Sequence, residues 1–149
     1  MLMGFEFRLQ RVLKYREGQK KVAAEELSQR QRELALLQAE LDGLRLEEEE
    51  LLKLYRERLA AAVDVQLLWN IENYRFFLQA SAERKQQEWQ EYCGRVEEQR
   101  QVVIDSWRSL QVLEKLKEKD LMRSLQEEKI KEQRSHDELS LRQYHWEKG

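Results

Sequence analysis

The sequence has no proline, five glycines and one cysteine in 149 residues. So little proline and glycine leaves almost nothing to build tight turns from, which excludes a β-rich or loop-rich fold. Few loops also argue against a conventional enzyme, because active sites are mostly displayed on loops. Cys93 is alone, so no internal disulfide can form and a reducing compartment suits the chain. Charge of one sign is missing as well: Lys+Arg number 27, Asp+Glu 29, and the formal net charge is −2. That balance excludes a basic nucleic-acid coat and an acidic tail. The longest uninterrupted apolar run is Leu59–Val63, far short of the ~20 residues that a membrane span needs. At the start, Glu6, Arg8 and Arg11 stand where a signal peptide needs an apolar core, and Gly4 is not placed for myristoylation. The expectation is a cytoplasmic protein with no nucleic-acid partner and no direct membrane insertion.

What is present points to helices. Charged residues make up 38% of the chain, and Leu, Glu, Gln, Lys, Arg and Ala dominate. From Leu9 the seam reads Leu9, Leu13, Arg16, Lys20, Ala23, Leu27, Arg30, Leu34, Leu37, Leu41, Leu44, Glu48, Leu51 and Tyr55. Its alternating steps of four and three are the coiled-coil period. Arg16, Lys20, Arg30 and Glu48 interrupt it, either as register devices or as places where another partner packs. A second stripe runs through Ile71, Tyr74, Leu78, Ala82, Trp89, Tyr92 or Cys93, Val96, Val103, Trp107, Leu110 and Leu113. Trp107 fits this stripe as core. The phase slips around Leu113–Leu121 as a stutter would make it do, and Leu125 and Ile130 are the last closely spaced anchors.

Two stripes need a turn between them. Val63 and Val65 are β-branched and Asp64 is a good helix N-cap, which places the turn in residues 60–66 with Asp64 capping the second helix. The reading is one all-α domain over 1–149: a long antiparallel two-helix coiled-coil hairpin, with helix one about 5–60 and helix two about 65–145. A single continuous helix that dimerises along its length is the alternative. In the hairpin the second helix is the longer, so its last 25 or so residues lack an internal partner. That overhang either frays or waits for something else to bind.

Catalytic and cofactor signatures are absent: there is no glycine-rich phosphate loop, no nucleophile elbow and no H-E-x-x-H. His136 and His145, with Asp137 and Glu138, read as exposed polar helix surface, since a zinc site needs three or four convergent ligands. Cys93 reads as a small apolar filler. Tyr55, Trp69, Tyr74, Phe76 and Phe77 cluster around the turn, where a free hairpin tip should be polar. They form either an exposed binding patch or a local mini-core that closes the tip.

The opening Phe5-Glu-Phe-Arg-Leu-Gln-Arg-Val-Leu-Lys-Tyr-Arg-Glu17 resembles the start of the FliJ family of flagellar export proteins. Val112–Lys119, then Glu132-Gln133 and Asp137-Glu138, are similar to its C-terminal pattern, and Tyr74 and Phe77 follow the turn as in that family. The resemblance implies a coiled-coil hairpin similar to the central stalk subunit of rotary ATPases. It also implies a non-enzymatic partner of the export ATPase hexamer, of the export-gate membrane protein and of export chaperones. Such a protein would sit peripherally at the cytoplasmic face of the inner membrane, held there by its protein partners. On that view Leu51, Tyr55, Tyr74 and Phe77 at the tip contact the gate. Phe5, Leu9, Arg16, Lys20, Leu116, Leu125 and Ile130 at the paired termini contact the ATPase. A stalk of a virulence export system and a generic tethering coiled coil are the competing readings. A prefoldin-like holdase would need β-strands that residues 60–70 do not encode.

Overall fold

The computed structural model describes residues 4–61 and 64–148. Val63, part of the expected break, lies outside them, as does Ala62. Two long helices pack against each other as an all-α hairpin, α1 (Gln10–Ala60) and α2 (Val65–Lys148). No strand occurs among the described residues.

Asp64 does what its side chain suits it for. Its Oδ1 accepts from the backbone N–H of Gln66 at 3.1 Å, and its carbonyl accepts from Leu67 and Leu68 at 3.1 and 3.3 Å. One of the otherwise unpaired N–H groups of the first turn of α2 is thereby satisfied.

Helix α1 starts at Gln10, not at Phe5. Gly4 takes φ +124°, which side-chain-bearing residues rarely adopt, and Phe5–Phe7 are not helical. The cause lies in spacing. Carried backwards, the heptad would put Glu6 in the seam and Phe5 and Phe7 on either side of it. Outside the helix both rings reach the apolar cluster: Phe7 is buried with Leu13 and Leu110, and Phe5, Leu9 and Leu113 pack against it. A turn bond from Gln10 N–H to the Phe7 carbonyl, 3.0 Å, then leads into the helix.

The chain divides into two compact units. A terminal unit combines Met1–Lys21 with Ile104–Gly149, and a hairpin unit is Val22–Val103. In both, the α1 seam is as expected: every position from Leu9 to Tyr55 along it is buried or half-buried. The α2 face differs from expectation at three points. In the hairpin unit Arg75, not Tyr74, takes the inward position between Ile71 and Leu78. In the terminal unit Ser106 faces inward and Trp107 is 44% exposed, so Trp107 is not core. No stutter is needed: the inward line continues Leu113, Lys117, Asp120, Ser124 with Leu121 half-buried beside it, while Leu125 and Ile130 are exposed and anchor nothing. A strict 3.5-residue period governs α2. It overrides the preference for large apolar side chains at each turn, because long polar side chains can pack their stems and keep their heads wet.

Candidate functional site

The hairpin unit is cross-linked by polar groups, and the small side chain of Ala23 explains one of them. Ala23 leaves room for the buried Gln99 to come close, and Gln99 Nε2 donates to the Ala23 carbonyl at 3.1 Å. Arg30 donates to the Arg95 carbonyl at 3.1 Å and pairs with Glu26 at 2.8 Å on its own helix. Glu48 accepts from Gln79 Nε2 at 2.7 Å, and Arg45 donates to Gln86 Oε1 at 2.7 Å. Arg30 and Glu48, which interrupt the apolar seam, are therefore register devices here: each bonds at one place on the facing helix. Lys85 Nζ lies 2.9 Å from Glu40 and 3.5 Å from Glu88. The hydrogen bond and charge of Glu40, then the charge of Glu88, hold its ammonium above the usual lysine value.

Nearer the turn, the Tyr74 hydroxyl donates to Glu47 Oε1 at 3.0 Å. That bond, together with the carboxylate's charge, raises the phenol above its ordinary value. The bond also fixes the ring, which stacks on Phe77 with centroids 6.1 Å apart. Tyr74 is 44% exposed and Phe77 58%. The structure thus brings Tyr74 and Phe77 together on the surface, whereas Leu51 and Tyr55 lie half-buried in the α1 seam. The mini-core reading of the tip fails: Trp69 and Phe76 are exposed too, at 60% and 59%. Both belong to the aromatic cluster seen in the sequence but not to the four residues expected at the gate. Their seven-residue spacing puts the two on the same side of α2.

In the terminal unit the expected residues divide. Phe5 and Leu9 are held in the apolar cluster with Phe7, which sequence reading passed over as a site residue. Arg16 and Lys20 are half-buried, and Arg16 Nη1 donates to Gln19 Oε1 at 3.1 Å along its own helix. Leu116, Leu125 and Ile130 are exposed. A shallow cleft beside the N-terminal rings is lined by Phe5, Glu6, Phe7, Arg8, Gln10, Arg11 and Lys117. Every residue from Leu125 to Lys148 is both helical and exposed. The overhang is thus a helical arm without an internal partner.

Cys93 is half-buried beside the seam. Among the described residues no group of His, Cys, Asp and Glu side chains could hold a metal ion, and no helix is long and apolar enough to cross a membrane. The surface features that remain are the exposed aromatic side chains near the turn, the exposed helix Leu125–Lys148 and the cleft at Phe5 and Phe7.

A comparison with curated proteins finds no match, and neither does one with solved structures. The family described as Flagellar FliJ protein matches residues 5–149, essentially the whole chain, and the chain belongs to that family.

Proposed function

We propose that this chain couples the flagellar export ATPase to the export gate. Family membership makes it a non-catalytic component of flagellar protein export; the partners and the mechanism are the proposal. In it the terminal unit binds the ATPase hexamer as a stalk and raises its turnover, through Phe5, Leu9, Arg16, Lys20, Leu116, Leu125 and Ile130. The tip binds the export-gate membrane protein through Leu51, Tyr55, Tyr74 and Phe77, and export chaperones are handled along the way. The chain then lies peripherally at the cytoplasmic face of the inner membrane, without entering it.

The observation that carries this reading is the arm. A solitary helix in water gains little from its own backbone, and most helical stability in proteins comes from tertiary packing. The segment Leu125–Lys148 has no such packing, yet displays Leu139, Leu141, Tyr144 and Trp146 to solvent. An arm of that kind is suited to be received by a ring. In the same unit, the stretch 6–21 carries Arg8, Arg11, Lys14, Arg16, Lys20 and Lys21 against Glu6 and Glu17, which suits an acidic partner.

Turnover of the purified ATPase, with and without the protein, tests the assignment. Deleting residues 122–149 abolishes stimulation while circular dichroism still reports the remaining helices. Stimulation equal to that of the intact protein overturns the stalk assignment of this end.

A further inference from the structure

Glu47 and Glu48 open the acidic run Glu47–Glu50 of α1, a stretch that solvation of a helix face would explain. Each of the two instead takes one side chain of α2. Glu48 accepts from Gln79 at 2.7 Å, and Glu47 from the Tyr74 hydroxyl at 3.0 Å. The two bonds differ in setting. Glu48 and Gln79 are half-buried, so their bond aligns the helices, whereas Glu47 and Tyr74 are both exposed.

Tyr74 borders the inward line of α2. At ~100° per residue it lies ~60° from the buried Ile71, and Phe77 ~120° on the same side. A tyrosine side chain has three staggered χ1 wells, and the bond to Glu47 ties its far end to the facing helix in one of them. Phe77 stacks on the ring so held, with centroids 6.1 Å apart and planes 18° apart. The raised phenol value has the same cause, since Glu47 favours the protonated hydroxyl that donates to it. Between exposed groups such a bond adds little to the fold. Its use lies elsewhere. A partner must order the side chains it binds, and one that is ordered beforehand removes part of that cost.

We infer that Glu47 is a positioning residue of the tip: it holds the Tyr74 ring, and with it the stacked Phe77, in the arrangement the gate receives. This rests on the reading that the gate binds Tyr74 and Phe77, and it adds a residue that acts on the gate only through Tyr74.

The experiment uses the full chain. Mobility of the Tyr74 ring is measured first, without the gate, by ¹³C relaxation of tyrosine-labelled protein, with Tyr74→Phe identifying its signal. The ring is restricted in the native chain and moves more freely in Glu47→Ala. Equal mobility overturns the positioning role whatever the gate does. Affinity for the soluble cytoplasmic part of the gate then completes a double-mutant cycle. Glu47→Ala and Tyr74→Phe, which each lose the bond and keep a ring, weaken binding about three- to fivefold. The double variant weakens it no further, and circular dichroism is the same throughout. Glu47→Gln, which keeps an acceptor oxygen, loses less than Glu47→Ala. If Glu47→Ala costs as much in the Tyr74→Phe background as in the native one, Glu47 touches the gate itself. The positioning role is then overturned while the gate reading stands. No binding by the native chain overturns both.

Discussion

Between Val22 and Val103 polar side chains reach across from helix to helix, whereas around Phe7 the helices are closed by phenyl and leucine side chains. The two solutions do different jobs. Apolar contact is non-directional and roughly proportional to area, so it holds helices together with little preference for one register. A side chain such as Gln99, with one acceptor at one height, contributes little net energy but is satisfied in a single alignment. To the apolar burial of Leu41, Ile71, Leu78 and Val96 the hairpin unit thus adds polar bonds that specify its alignment, and the terminal unit relies on the Phe7 cluster.

The largest expected effect tests the adhesive side. Phe7→Ala costs about 3–5 kcal/mol and Leu13→Ala about 2–5 kcal/mol, as deletions of buried apolar groups do. Urea unfolding reads the loss, and hydrogen exchange should place it in the terminal unit while Leu34–Leu44 stay protected. Deprotection spread evenly through the chain would erase the distinction between the units.

On the polar side, Gln99→Leu costs about 1 kcal/mol, the typical net worth of one hydrogen bond, with the Ala23 carbonyl left in place. Spin labels at the exposed Ser28 and Glu98 should nevertheless show a single distance in the native protein and a broadened distribution in the variant. A distribution that stays single removes Gln99 from the register role.

Alkaline pH gives a smaller, signed effect. Lys85 and Tyr74 both have folded values raised above their ordinary ones by Glu40 and Glu47. The folded state therefore holds these protons more tightly than the unfolded state. Their contribution is complete below the ordinary values and disappears as pH rises through the raised ones. Thermal melts from neutral pH to beyond 10.5, the unperturbed lysine value, should fall less steeply in Glu40→Gln with Glu47→Gln than in the native chain. Equal slopes would show that neither pair matters to the fold.

The least change comes from the arm. Removing residues 125–149 should leave the melting of the remainder within about 0.5 kcal/mol, as expected where nothing is buried. A clear drop would mean that the arm braces the terminal unit.

Sequence pattern was enough for α1, because Leu recurs at most of its seam positions and the few polar ones sit in phase. Asp64 was equally legible, since capping is a local matter of one side chain and one turn. For α2 the reading went after bulk: it chose Tyr74 over Arg75 and Trp107 over Ser106, and invented a stutter to keep large side chains inward. The true line contains Arg75, Lys85, Gln99 and Lys117, whose inward fit depends on what faces them, such as Ala23 opposite Gln99. That information is not local to either helix. Neither was the non-helical start at Phe5–Phe7, whose rings pack in a cluster that includes Leu110 and Leu113 of the other helix. Of the surfaces, the stacked Tyr74–Phe77 pair could be anticipated, while Trp69 and Phe76 needed the inward face to be known before their exposure had meaning.

The bare arm has a kinetic consequence. Continued beyond Ser124, the inward line meets Glu127, Lys131, Arg134 and Glu138, so no apolar seam is available to lock it. A peptide of about that length interconverts between helix and coil in roughly 0.1–1 μs. Diffusional encounters at typical protein association rates are far rarer than that. Each encounter therefore samples the arm many times over in both forms, and whatever receives it can capture a turn of helix first and draw in the rest.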